Sequence, residues 1–314
     1  MRHALVATIM LMSALAVLTG CSGSEDAAAG RAVAFDPAFE RETETWRQQR
    51  HDELVQPHGW ASLVGLHWLD LKAHYIGSSP GSGVRLAVGP PKLGLVQRDS
   101  GQTWFTPERG VAVTLDGQPL KGRARLRSDA GGTPGVIGFD AGKGQLTLIE
   151  RGGREALRVR HEDARTRLGF ATLQYWPADP AWRVQGRFSA HPAGQTLPIG
   201  DIVGTTSDMP NPGRIEFTHA GQLFALEALA GEDGSLFVVM ADRTSGHGSY
   251  PAGRFLDVPA PDAQGNLVLD FNRTYNPPCA FTAYATCPLP PPQNRLDLLV
   301  NAGERAYAPP KGTF

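Results

Sequence analysis

Phe39, Trp46 and Leu54 recur at roughly helical spacing through an otherwise polar stretch. Asp36-Pro37 ahead of them supplies an N-cap residue and a proline at the first helical position. Glu44 stands three residues before Arg47, within reach on a helix surface. The pattern predicts a helix from Pro37 to about Val55, ended by Pro57 and Gly59 and packing by one narrow stripe. The next stretch, Gly59 to Leu71 (GWASLVGLHWLDL), is apolar and carries Trp60 and Trp68. Its periodicity fits a short helix or a buried strand equally.

From Tyr75 onward the period changes to two. Val111 to Leu115 alternates and runs into Asp116-Gly117, a type I′ hairpin signal. Leu146 and Leu148 alternate with Thr147, and Arg151-Gly152-Gly153-Arg154 turns into Leu157 and Val159. Val184 and Phe188 oppose Arg183, Gln185 and Arg187. Ile215 and Phe217 oppose Arg214, Glu216 and Thr218, and His219-Ala220-Gly221-Gln222 turns into Leu223 to Leu229. Such runs, separated by Gly, Pro, Asp and Asn clusters, predict a mainly β protein. Its antiparallel sheets form a sandwich or barrel, with one N-terminal helix. Leu173-Gln174-Tyr175-Trp176-Pro177 opens a second series of strands. The chain therefore reads as 36–165, the helix and a first β region, and 166–314, a second β region, or as one continuous β domain.

Residues before the helix change the picture of where this fold resides. Arg2 and His3 precede an apolar run from Ala4 to Val17, too short to span a bilayer. Leu18-Thr19-Gly20-Cys21 follows and resembles the bacterial lipoprotein signal. The resemblance implies a signal peptide over 1–20, diacylglycerol on Cys21, acylation of the new amine, and an anchor of several chains. Ser22 next to the lipidated residue favours the outer membrane, facing the periplasm. Residues 21–35 are small and polar and read as a flexible tether. A formal net charge of −1 is no polyanion-binding balance, and no nucleic-acid partner is expected.

Motifs for chemistry are sparse. Gly77-Ser78-Ser79-Pro80-Gly81 matches a nucleophile elbow in spacing, yet Pro80 lacks the N–H that the oxyanion hole requires. Phosphate-binding, dinucleotide and zinc-protease motifs are missing from the sequence, and no cofactor is expected. Cys279 and Cys287, eight positions apart, lack zinc-site spacing, so no metal site is assigned; distant histidines such as His219 or His247 would have to complete one. Lys121, Arg123, Arg125 and Arg127 alternate with Gly122, Ala124 and Leu126, which as a strand puts four cations on one face, either solvated or binding anionic headgroups or sugars. Tyr75 to Leu120 resembles a forkhead-associated β sandwich in its Ile76-Gly77 pair and late Leu115-Asp116-Gly117-Gln118-Pro119-Leu120, but the residues that grip phosphothreonine have no counterpart.

Phe271 to Arg295 (FNRTYNPPCAFTAYATCPLPPPQNR) holds six prolines, two cysteines and the aromatics Phe271, Tyr275, Phe281 and Tyr284. Prolines exclude a helix or a central strand, while the aromatics call for burial. A long ordered loop of this kind is a functional element or a clasp. Two thiols in an oxidising compartment are most simply a disulfide, Cys279–Cys287, contributing about 2.5 kcal/mol through loop closure. This stretch and the following LDLLVNAGE, with GRFLDV upstream and GWASLVGLHWLD near the start, resemble the bacterial and archaeal family called domain of unknown function 1684. The resemblance spans most of Gly59 to Tyr307 and implies no activity. It marks Asn272, Tyr275, Asn276, Pro277, Cys279, Cys287, Pro288, Asn294, Arg295 and Glu304.

Asp242, Tyr250 and Arg254 precede the loop and are candidates to converge with Asn272, Tyr275, Asn276 and Arg295 on a small-ligand pocket. Arg254 or Arg295 would hold a carboxylate or phosphate. An enzyme would use His247 or Asp242 as base, but no catalytic set stands out. In a scaffold, Asp270 and Arg295 would pair and the loop would plug the barrel end. The sequence thus leaves three readings: an envelope lipoprotein binding a small ligand or a protein partner, an envelope hydrolase or other enzyme with its site near 270–295, and a scaffold.

Overall fold

The computed structural model describes residues 36–309; the expected signal peptide, tether and Cys21 lipidation site lie outside them. Helix α1 (Pro37–Leu54) starts at the cap foreseen: the Asp36 carboxylate accepts from the N–H groups of Ala38 at 2.9 Å and Phe39 at 3.3 Å. Phe39, Thr43 and Leu54 form its buried stripe, continued by the half-buried Trp46, Arg47 and Arg50. Arg47 meets Glu44 at 3.9 Å. The ambiguous apolar stretch resolves into a single 3₁₀ turn, Trp60–Ser62, and a strand, Leu63–Trp68.

Nearly everything else is antiparallel β, as the alternation predicts. One six-stranded sheet orders Leu63–Trp68, Arg154–His161, Gly144–Arg151, Val136–Phe139, Thr114–Leu115 and Gln118–Pro119. A five-stranded sheet, Val84–Arg85, Ala73–Gly77, Gly94–Asp99, Gln102–Pro107 and Ala124–Arg125, shares its core, where Ile76, Val96 and Phe105 pack with Ile137, Leu146, Leu157 and Val159. A second six-stranded sheet orders Arg254–Val258, Leu236–Met240, Gln222–Ala230, Gly213–His219, Arg183–Ala190 and Asn266–Asp270. Its two edge strands approach one another, curling it around Ile215, Phe217, Leu226, Val238, Leu256 and Phe271. The turns at Asp116-Gly117, Gly152-Gly153 and Ala220-Gly221 have positive φ at both residues, the type I′ geometry whose twist suits a hairpin.

Two expected strands are shorter than the alternation suggested. Val111 donates its N–H back to Glu108 in a turn, so only Thr114–Leu115 pairs. Of Lys121 to Arg127 only Ala124–Arg125 is strand. The alternation still sorts this segment: its four cations are exposed and Leu126 is buried. Arg123 and Arg127 pair with Asp99 at 3.0 Å and Asp116 at 2.8 Å, so two of the four cations are already matched.

The Arg154–His161 strand is buried on both faces. Leu157 and Val159 enter the shared core. Ala156 and Arg158, on the opposite face, are also buried because the proline-rich segment covers them: Arg158 donates to the Thr286 hydroxyl at 3.1 Å. Leu63 beside them packs with Ile199, Leu229, Val239, Phe255, Ala285 and Cys287. The proline-rich segment is therefore sandwiched between the two six-stranded sheets.

Candidate functional site

The closing segment is locked by its own polar side chains. Asp270 caps the 3₁₀ turn Phe271–Arg273, and the buried Asn272 amide bridges both backbone groups of Asp179, at 3.0 and 2.9 Å. Tyr275 exchanges backbone hydrogen bonds with Phe255 at 2.9 and 2.8 Å, so the segment covers the edge strand Arg254–Val258. Covering satisfies an edge that would otherwise be open to another chain. The Asn276 N–H donates to Glu304 Oε2 at 2.8 Å, and its side-chain amide donates to the Arg305 carbonyl at 2.8 Å. Gly303 has φ +76° and an added Cβ would lie 2.1 Å from the Thr274 hydroxyl, so only glycine admits this approach. Cys279 and Cys287 stand as a disulfide with Cα atoms 6.2 Å apart, inside the bridging range.

Helix α1 is tied to this segment through Arg50. Its Nε donates to Glu304 Oε1 at 3.1 Å, its Nη2 to the Asn276 carbonyl at 3.0 Å, and its guanidinium stacks 4.5 Å over the Tyr275 ring. Burial pushes the Glu304 carboxyl above its ordinary value, against the opposing pull of Arg50 and the Asn276 N–H. Between helix and segment opens a cleft of about 510 Å³. Trp46, Trp60, Phe237, Phe255 and Tyr275 supply aromatic wall, and Arg50, Glu53, His58, Arg160 and Asp257 supply polar groups. Tyr275 donates its hydroxyl to Asp257 at 2.8 Å, and burial raises its phenol well above the usual value, keeping it a donor. Aromatic walls combined with oriented polar groups suit a small ligand with polar groups of its own. Among the described residues no cluster of His, Cys, Asp and Glu is arranged for a metal ion.

The candidates read from the sequence take different places. Tyr275 lines the cleft. Asn276 lies behind it, presenting its carbonyl to Arg50. Asp242 and Arg254 meet at 2.8 Å with both side chains 1% exposed, and Arg254 also donates to the carbonyls of Ala302 and Val300. This pair ties the segment after Leu299 to the sheet: both terminal nitrogens of Arg254 are engaged, and its buried Nε alone lacks a partner. Tyr250 donates to the Cys279 carbonyl at 3.1 Å, bracing the loop. Asn272 is the buried bridge to Asp179. Arg295 is exposed and does not pair with Asp270, which instead binds Arg183 at 3.1 Å and Arg273 at 3.6 Å. Neither His219, stacked 4.2 Å from Trp182, nor the exposed His247 enters the cleft. Arg50, Glu53, His58, Trp60 and Arg160 also line the cleft, yet lie far from the closing motif in sequence. The one signal was the GWASLVGLHWLD resemblance, which contains Trp60.

The profile of the family described as protein of unknown function (DUF1684) matches residues 168–305. That span holds the closing motif; Gly59 to Asp70, included in the resemblance above, lies outside it. An uncharacterized protein from gene locus rrnAC0354 of Haloarcula marismortui, known from a solution NMR structure, is 33% identical. The match covers 44% of this chain and 78% of that one, with a TM-score of 0.37. The N-terminal FHA domain of EssC, a component of the bacterial type VII secretion apparatus, is 15% identical over 31% of this chain and 46% of that one, with a TM-score of 0.25. At these scores neither superposition carries a structural argument. No curated protein matches the chain. Through the closing motif within residues 168–305, the chain belongs to the DUF1684 family of proteins of unknown function.

Proposed function

We propose that this is a cell-envelope lipoprotein, anchored through Cys21, that binds a small organic ligand in the cleft between helix α1 and the closing segment. The observation that carries the binding reading is the cleft itself: about 510 Å³, lined by five aromatic rings and by polar groups held from four directions. Its walls come from α1, the turn at His58–Trp60, the Arg154–His161 strand, and strands Leu236–Met240 and Arg254–Val258 with the loop that covers them. Interactions far apart in sequence therefore hold the walls, which favours a preformed site. The anchor reading rests on Leu18-Thr19-Gly20-Cys21. Neither Ser, Thr, Cys nor Lys lines the cleft, and the Tyr275 hydroxyl is committed to Asp257, which disfavours catalysis through a hydroxyl, thiol or amine nucleophile.

Screening a metabolite collection by thermal shift on the full chain tests this. Hits are expected to lose their effect in Gln49→Trp, which fills the cleft from an exposed helix position without touching the core. A collection without hits, or hits indifferent to that substitution, would remove the cleft as the site.

A further inference from the structure

Arg158 and Arg160 share one face of the Arg154–His161 strand, and both guanidinium groups lie against the Trp60 ring, at 5.5 and 5.3 Å. Arg158 is 7% exposed, and among the described residues its side chain hydrogen-bonds only to the Thr286 hydroxyl. Arg160 is half-buried and lines the cleft. It makes no hydrogen bond from its side chain and no ion pair among the described residues, and its Nε is buried without a partner. An unpartnered Nε is shared with Arg254, so what sets Arg160 apart is the lack of a counter-ion. Arg254 is matched by Asp242, Arg50 by Glu304, and Arg151 by Asp129 at 2.8 Å.

A buried cation without a counter-ion is costly, and two on neighbouring positions of one face repel each other as well. Burial, with the charges of Arg160 and Arg151 nearby, pushes Arg158 down to about 10, and burial lowers Arg160 too. Both remain charged at neutral pH. The cationic end of the cleft therefore faces a ring-lined space with unspent donors in a planar fork, the geometry that suits an oxyanion.

We infer that Arg160, with Arg158 behind it, is the seat for a carboxylate or phosphate of a ligand whose flat or apolar body lies against Trp60, Phe237 and Tyr275. This deepens the cleft-binding reading and rests on it. Glu53 and Asp257, at the same cleft, would disfavour a ligand carrying further negative charge, so the match is a single oxyanion on an uncharged body.

Calorimetry and ligand-detected NMR on the full chain test the inference with benzoate, phenyl phosphate and the neutral benzamide. At least one of the two anions should bind about tenfold or more tighter than benzamide, the worth of one charge-assisted contact. Whichever is tighter distinguishes carboxylate from phosphate. Arg160→Met should remove that advantage and leave benzamide within about twofold, while Arg160→Lys, keeping charge but losing the fork, should fall between. Arg295→Met, outside the cleft, is the control and should change nothing. Since Arg160 has no hydrogen bond or counter-ion to lose, and methionine keeps an apolar contact with Trp60, the urea midpoint of the Met variant should stay close to the parent's. If all three probes bind equally, or Arg160→Met leaves anion binding intact, the oxyanion seat is overturned while the cleft remains a ligand site. If no probe binds but thermal-shift hits are still lost in Gln49→Trp, the oxyanion seat fails alone. Absence of both signals overturns both readings.

Discussion

Asp242 and Arg254 show what a single buried residue does in this protein. The Asp242 carboxylate holds Arg254 and also accepts from the N–H of Thr244 at 2.7 Å and of Val300 at 3.3 Å. Asp242→Asn leaves the arginine charge uncompensated in the interior. It should cost about 3–5 kcal/mol, read as a lower urea midpoint, because breaking one side of a buried pair is worse than never having had it. Tyrosines make a second residue-scale case. Burial raises the phenols of Tyr175, Tyr250, Tyr275 and Tyr307 above their ordinary value. In the unfolded chain they ionise near pH 10, so the folded state keeps protons that the unfolded state releases. Their contribution is fully present below about pH 10 and lost as the pH rises through the higher folded values. Difference spectroscopy of the phenolate band should show Tyr175 and Tyr275 ionising only as the protein unfolds, and Tyr250 and Tyr307 ionising later than free tyrosine. Phenols that titrate freely in folded protein would contradict the burial. Asp242 and Tyr275 were legible as candidates because polar residues in a rigid loop region are either structural or functional. Which of the two each is depends on whether its partner's donors are already spent, and no local pattern records that.

Element by element, the legible features were those set by nearest neighbours. Asp36-Pro37 fixed the start of α1, since a cap needs only the next two N–H groups. X-Gly pairs fixed the hairpin turns, since positive φ is a property of two residues. Val111 to Leu115 shows the limit: its alternation is real, but a turn at Glu108 takes the N–H of Val111 away from any ladder. The proline-rich segment looked like a clasp or a functional loop, and it is both edge cover and cleft wall, with Tyr275 and Pro278 in the lining. Replacing Cys279 and Cys287 together by serine should cost up to about 2.5 kcal/mol, the worth of closing so short a loop. The sheets should survive, because the segment is held independently by Asn272, Asn276 and Tyr250. Limited proteolysis should then cut between 279 and 287. A variant as resistant as the parent would show that those polar anchors suffice alone.

For the whole molecule, the prediction concerns the anchor. Cys21→Ser should leave an unacylated, uncleaved precursor, since no other cysteine lies near the signal boundary. Intact-mass analysis of membrane fractions reads this directly, and a parent chain that is cleaved but soluble would refute the anchor. At the same scale, sequence alone determined the class: alternation with period two, turn pairs every few residues and one capped helix permit little besides antiparallel β. It also determined the lock residues of the closing motif, because prolines and cysteines restrict conformation wherever they stand. Only the tertiary structure decided where the cleft lies. Arg158 and Arg160 alternate with Leu157 and Val159 as any solvent-facing residues would, and nothing near them in sequence marks them as different. Arg158 is buried, and Arg160 beside it half-buried, where a segment more than a hundred residues later folds over that face of the sheet. Burial by a distant segment is a property of the packed chain, and it turns an ordinary polar stripe into a pair of unmatched cations.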